Sequence, residues 1–504
     1  MTTVQTKDIS GGHKVWTLRN YINGQWVEPE AAQTLAVENP ATTDLLARVP
    51  LSPVAEVEEA VQAARQAFDN WSRTPVAARA EFMFRLVDLM RQHADSLAHI
   101  ITQEMGKSLP DSRAEMKRSI ENVQVACGMP TLIQGDNVKD CATGIDGEVI
   151  RSPVGVFGMI APFNFPSMVP MWFLPYAVAA GNTYVVKCSE QVPITMQRQF
   201  ELIDQCGFPP GVVNLVNGDK TASSVLMNHP DIAGISFVGT SPVAKIVAET
   251  CARSGKRFQA MGSSKNYLVV MPDAVLDEVV RNMLTSCLGC AGQRCMAASV
   301  IGCVGDQVYT EVVQRFTDAA RQAAVGNPLD PALAQQDLVV GPVISRKARQ
   351  RIEQLIQTGV DEGAHLVLDG RGTSVPGCEQ GHFVGPTVLA GVRPGQTLER
   401  TEIFGPVVII IKFASLDEAI DAINQHEYGN GASIYTQSGY WARKFKMETR
   451  AGMIGINVGI PAPVAYLPFG GTKGSFIADV KAQSKEVVNF FTDKKIVTER
   501  YWAH

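Results

Sequence analysis

A chain of 504 residues with 45% hydrophobic and 19% charged residues has the composition of a globular protein with a large core. At roughly 150 residues per domain it predicts about three domains. The formal net charge of −5 argues against a nucleic-acid or anionic-membrane partner, and ten cysteines are too few in this length for a disulfide scaffold. The polar start MTTVQTKDISGGHKVW has no apolar signal segment, so a cytoplasmic setting is expected.

In chain order, YINGQWV (Tyr21 to Val27) sets Asn23-Gly24 between apolar residues and predicts a hairpin. Ser52-Pro53 forms an N-cap and N1 pair, and Val54, Val57, Val61, Ala64, Phe68 and Trp71 follow at helical spacing. A second long helix is predicted from about Val76 to Met105. Thr131 to Arg151, with Asp146-Gly147 as a turn, reads as a β-excursion. The apolar run from Val154 to Val186 is long enough to suit a membrane span. Pro162, Pro166, Pro170 and Pro175, with Asn164 and Asn182, interrupt it, so it predicts strand, loop, helix and strand. The runs VGVFGMIAP, TYVVK, VVNLV, GISFVG and YLVVM alternate with the helical TASSVLMN and PVAKIVAETCARSG. That alternation predicts an α/β fold with a mostly parallel sheet covered on both faces. A second set follows Cys295, with strands near ASVIGCV, GPTVLAGV and PVVIIIKF. The C-terminal VVNFFTDKKIVTERYW is β-like, and we expect an edge strand that pairs with another subunit.

No GxGxxG, Walker A or GxSxG pattern occurs. The eight histidines show no HxxxH or HExxH. Cys287 and Cys290 form one CLGC without two further ligands, so no metal site is expected. Their i, i+3 spacing in an apolar helical run predicts core packing. Cys295 differs: it follows Arg294 at a helix-to-strand junction, and a nearby guanidinium favours the reactive thiolate. In APFNFPSM, Asn164 falls just past the carboxyl end of a buried strand, where its amide would donate to an oxyanion or cap the next helix. Lys187 and Glu190 in VVKCSEQ follow another buried strand and suit ribose hydroxyls, or form a solvated loop pair. Gly239-Thr240-Ser241 lies at a strand-to-helix turn that suits a phosphate, or is an ordinary N-cap. Glu402 and Phe404 precede a Gly-Pro turn in TEIFGPVV.

Together PFNFP, KCSEQ, FVGT, GQRC, EIFGPV and PFGG, in this order, resemble the aldehyde dehydrogenase superfamily over nearly the whole chain. Within it, GQRCMA, APFNFPSMVPMW, GNTYVVKCSE, MGSSKNYLVVMPDA and FFTDKKIVTERYW are most similar to the coenzyme-A-acylating methylmalonate-semialdehyde type. The resemblance implies two Rossmann-like parallel-sheet domains and a small β oligomerisation domain. It divides the chain into an NAD-binding domain (1–130 and 152–258), an oligomerisation hairpin (131–151), a catalytic domain (259–477) and a C-terminal oligomerisation strand (478–504), in a homodimer or homotetramer. It implies Cys295 as nucleophile and Asn164 as oxyanion donor. Phe163, Lys187, Glu190, Gly239, Thr240, Glu402 and Phe404 would hold NAD, and Arg118 and Arg294 a small anionic aldehyde. Hydrolytic relatives carry a glutamate that activates water. At the matching position the resemblance puts Ala260, and no Asp or Glu lies between Arg257 and Pro272. It therefore implies transfer to coenzyme A, with loss of CO₂ from malonate-type semialdehydes. A hydrolytic enzyme acting on another anionic aldehyde stays open. KCSE and GSSKN depart from the superfamily's usual pattern and LPFGGTKGSF from the methylmalonate-semialdehyde type, and a sulfonated aldehyde stays open too.

Overall fold

The computed structural model describes residues 7–9, 13–31 and 33–502. Its centre is an eight-stranded sheet. Five parallel strands lie in the order Arg257–Met261, Ile232–Val238, Val156–Ile160, Thr183–Lys187, Val213–Val216. Phe476–Ile477 closes one edge antiparallel, and the hairpin Asn20–Ile22/Gln25–Val27 closes the other. The hairpin turns on Asn23 (φ 51°) and Gly24 (φ 74°), the left-handed pair a tight two-residue turn needs. Val156–Ile160, Thr183–Lys187 and Val213–Val216 are buried at every residue, as continuous apolar strands must be when helices cover both faces. Chain order reverses between Val156–Ile160 and Ile232–Val238. The crevice beyond their carboxyl ends is therefore the topological switch point, where open α/β sheets bind ligands.

A second, seven-stranded sheet runs His365–Leu368, Thr387–Ala390, Val407–Phe413, Ala298–Val304, Asn266–Val270, Gly431–Tyr435, Met453–Ile456. All neighbours are parallel except the first pair. A three-stranded sheet joins Thr492–Glu499, Ile145–Pro153 and Asn137–Ala142. The C-terminal strand is an edge strand, as expected; its inner edge pairs with its own chain, from Thr492↔Pro153 to Glu499↔Asp146, and its outer edge has no strand neighbour among the described residues. A four-stranded sheet near the N-terminus, containing Leu45–Pro50 and Thr34–Glu38, was not foreseen.

Helix boundaries shift in places. Pro53 is the cap residue of Val54–Trp71 rather than its first residue, and Ser52 Oγ accepts from Asn20 Nδ2 at 2.8 Å instead of capping. The helix predicted from Val76 to Met105 is two, Val76–Gln92 and Ala94–Met105, broken at His93 (φ −107°, ψ 9°). Apolar residues such as Met90 and Leu97 are buried on both sides of the break, so periodicity alone passes over it. The apolar run forms only the short helices Met168–Met171 and Leu174–Ala179 between its strands. Among the described residues no helix is long and apolar enough to cross a membrane.

Candidate active site

Cys295 sits where the sequence placed it, after the helix Leu276–Leu288 and before the strand Ala298–Val304. The connection is tightly wound: Cys290 (φ 53°), Ala291 (φ 52°) and Gly292 (φ 69°) are consecutively left-handed. A Cβ on Gly292 would lie 2.1 Å from the carbonyl oxygen of Gly405, so only glycine lets the two loops meet. Cys290 was expected to pack within the helix. It lies beyond the helix end, and its N–H donates to Asp111 Oδ2 at 3.3 Å. Both Cys287 and Cys290 are buried in the core, as read.

Three donors converge on the carbonyl oxygen of Cys295: Ser264 Oγ (2.6 Å), Asn266 Nδ2 (2.9 Å) and Asn430 Nδ2 (3.0 Å). They fix the peptide and leave the sulfur free to react. Burial first, then the nearby Glu402 carboxylate, push the Cys295 thiol up to about 12, against the pull of Arg294. The resting thiol is therefore neutral at pH 7, contrary to the thiolate expected from Arg294 alone.

The structure brings Asn164 to this loop. Its Nδ2 donates to the carbonyl of Gln293 at 3.1 Å, which orients the amide and spends one of its two N–H bonds. Behind it lies a feature the sequence reading missed. Lys107 Nζ donates to Asn164 O at 2.6 Å and to Glu115 Oε2 at 2.7 Å, and lies 3.7 Å from the centroid of Phe165. The other oxygen of Glu115 accepts the N–H groups of Ser167 (2.8 Å) and Met168 (3.0 Å). Lys107 and Glu115 are both fully buried, so this pair braces the Asn164 loop. The available signal was Gly106-Lys107-Ser108: Gly106 (φ 87°) ends one helix, and Ser108 caps the next, Leu109–Cys127. Lys107→Met strands the Glu115 charge and is expected to lower unfolding stability by about 3–5 kcal/mol. Urea unfolding checks this, and the double variant Lys107→Met/Glu115→Gln should recover part of the loss.

A cleft of about 320 Å³ opens onto Cys295, walled by Phe165, Met168, Met296, Ile460 and Pro463, with Arg118 and Arg294 among its lining residues. Arg294 is anchored by the carbonyls of Thr285 and Ser286, while its buried Nε has no partner. Arg118 Nη1 is 2.7 Å from Glu121 Oε2, so part of its charge is already answered.

The remaining predicted residues gather around the switch point. Phe163 follows the strand Val156–Ile160 and meets Phe404 edge-on, with ring centroids 5.8 Å apart. Gly239 and Thr240 follow Ile232–Val238 and precede the helix Ser241–Arg253. Lys187 Nζ and Glu190 Oε2 pair at 2.7 Å at the next strand's end. Glu402 Oε1 accepts from Ser264 N at 2.8 Å. Burial raises its carboxyl above the usual range, opposed by the hydrogen bonds from Ser264 and Ser263. Ser264 thus touches both the Cys295 loop and Glu402, which gives the polar GSSKN stretch a reason.

Ala260 and Met261 lie on opposite faces of their strand. Phe258 and Ala260 face the cluster under the helices Lys220–Asn228 and Ser241–Arg253. Side chains alternate along a strand, and Met261 belongs to the other cluster, the one Cys295 packs against. Neither Ala260 nor Met261 carries a proton-accepting group.

Among the described residues no group of three or more His, Cys, Asp or Glu side chains is placed to hold a metal ion. The sequence model of the aldehyde dehydrogenase family matches residues 26–497. The chain is 45% identical to malonate-semialdehyde dehydrogenase 2 of Geobacillus kaustophilus, over 97% of this chain and 99% of that protein. It superposes with TM-score 0.94 on the methylmalonate-semialdehyde dehydrogenase DddC of Oceanimonas doudoroffii, at 40% identity over 97% of this chain and 99% of that one. The NAD⁺ complex of a Bacillus cereus aldehyde dehydrogenase superposes with TM-score 0.90 at 30% identity, over 96% of each chain. With a cysteine loop facing a switch-point crevice and a match along almost its whole length, the chain belongs to the aldehyde dehydrogenase family.

Proposed function

We propose that the chain is an NAD-dependent, coenzyme-A-acylating dehydrogenase of malonate and methylmalonate semialdehydes, yielding acetyl-CoA or propionyl-CoA with loss of CO₂. The names of its relatives support the substrate class, and so does an arginine-lined cleft on Cys295. A guanidinium fork suits a carboxylate.

The switch-point crevice fits a dinucleotide. Gly239 accepts no side chain there, because a Cβ would lie 2.5 Å from the Phe237 ring. In this reading Gly239 and Thr240 hold the pyrophosphate, Lys187 and Glu190 the adenosine ribose, and Glu402 the nicotinamide ribose, with Phe163 and Phe404 beside the nicotinamide. Glu190 repels a 2′-phosphate, which favours NAD over NADP. When bound, NAD supplies the hydride acceptor. Cys295 attacks the aldehyde carbon, and its own backbone N–H and the free N–H of Asn164 hold the oxyanion. The resulting Cys295 thioester then passes to the thiol of coenzyme A. A cytoplasmic dimer or tetramer built on the three-stranded sheet belongs to the same reading.

The observation that carries the acyl-transfer step is the missing carboxylate: no Asp or Glu lies between Arg257 and Pro272. With semialdehyde and NAD alone we expect about one NADH per site and then turnover about 10²–10⁴-fold slower than with coenzyme A present. Equal steady-state rates with and without coenzyme A, with free acid as product, would sink the assignment in favour of hydrolysis.

A further inference from the structure

A second cleft, of about 560 Å³, begins where the adenosine end of the cofactor crevice stops: Glu190 and Gln191 form part of its lining. Another part is the start of the helix Arg346–Asp361, whose cap Ser345 accepts from Ala348 N at 3.2 Å. Arg346 and Lys347, in the first turn of this helix, also line the cleft and are exposed. Neither makes an ion pair among the described residues. The independent sign of a ligand is His382. It lines the same cleft, is only 6% exposed, and its ring has no hydrogen-bond partner among the described residues. Burial, then the charges of Arg346 and Arg349, lower its pKa, a cationic field that an anion would relieve. On the other side Glu190 is already paired with Lys187; the exposed Glu38, which makes no ion pair among the described residues, also lies on the rim, so Arg346 and Lys347 leave the cleft with one positive charge in excess.

NAD and coenzyme A share an adenosine 5′-diphosphate half. Coenzyme A differs in its ribose, which carries a phosphomonoester on the 3′-oxygen. On the acyl-transfer reading above, both must deliver their reactive ends to Cys295 in turn. We infer that the cleft walled by Arg346, Lys347 and His382 is a phosphomonoester site that receives the 3′-phosphate of coenzyme A, holding that ribose beside the Lys187–Glu190 cradle, clear of the Glu190 carboxylate that excludes a phosphate from the cradle itself. The helix start, with its unsatisfied N–H groups, adds to the field on a dianion. The assignment gives the acyl-enzyme a way to tell the second nucleotide from the first.

The test compares coenzyme A with 3′-dephospho-coenzyme A as acyl acceptor for the full-length enzyme. The wild type should show a KM about 10–100-fold lower for coenzyme A, the size of a lost charge-assisted contact. In Arg346→Gln/Lys347→Gln that ratio should fall to near one because the KM for coenzyme A rises, with the KM for NAD as control. Adenosine 3′,5′-bisphosphate should compete with coenzyme A on the wild type about tenfold better than adenosine 5′-monophosphate, a readout that needs no variant. Coenzyme-A-dependent turnover without discrimination, or discrimination that survives the double substitution, overturns this site alone. Inorganic phosphate competing as well as the bisphosphate makes it a free-anion site and overturns the assignment to coenzyme A. Turnover indifferent to both thiols overturns the acyl-transfer reading, and this inference with it.

Discussion

Cys295→Ala should abolish semialdehyde oxidation, with kcat/KM falling by at least about 10⁴-fold, since removing a nucleophile removes the covalent route as a whole. The fold should stay intact, because the donors from Ser264, Asn266 and Asn430 hold the backbone carbonyl of Cys295 rather than its sulfur. A stopped assay with unchanged circular dichroism and melting temperature checks both halves. The thiol itself reports its environment. Its pKa stands near 12, above that of a free cysteine, so the thiolate is the minor form through the neutral range and grows with pH. Alkylation of Cys295 by iodoacetamide in the cofactor-free enzyme should climb about tenfold per pH unit from pH 7 to 10. A plateau below pH 9 would contradict that environment.

Asn164→Ala should cost about 10²–10³-fold in kcat with a much smaller change in KM, the signature of a donor that acts on the transition state. The hydrogen bond from Asn164 Nδ2 to the Gln293 carbonyl places the amide without using up its donors. Asn164→Asp keeps the shape but removes the N–H and adds a charge beside the developing oxyanion, so it should be at least as damaging. Single-turnover rates of NADH formation separate this from effects on thioester release. A loss confined to KM would remove Asn164 from the oxyanion site.

The contrast between Asn164 and Lys107 shows what a sequence discloses about such a site. Asn164 lies between prolines just past a buried strand, and Cys295 lies at a junction between elements. Both positions follow from local pattern once the strands are drawn, and so does the α/β alternation. Lys107 does not announce itself. Its importance arises only when the helix Leu109–Cys127 packs its Glu115 beneath the Asn164 loop, a contact between segments some fifty residues apart. The faces of the strand Arg257–Met261 are hidden for a related reason. The absence of Asp and Glu was visible in the letters, but which face of the sheet Ala260 and Met261 each take depends on the phase of the strand, and a one-residue slip exchanges its two faces. The break at His93 was hidden because the apolar rhythm runs through it.

Gly292 and Gly405 meet backbone to backbone, with no space for a side chain on the first. One of these loops carries Cys295 and the other Glu402 and Phe404. On the proposed cofactor placement, their contact makes the sulfur and the nicotinamide pocket a single mechanical part, so thermal breathing of the cleft moves both together and leaves the spacing for hydride transfer unchanged. Diversification of substrate then has one direction open to it, the wall of Arg118 and Pro463, where side chains can be exchanged without resetting that spacing.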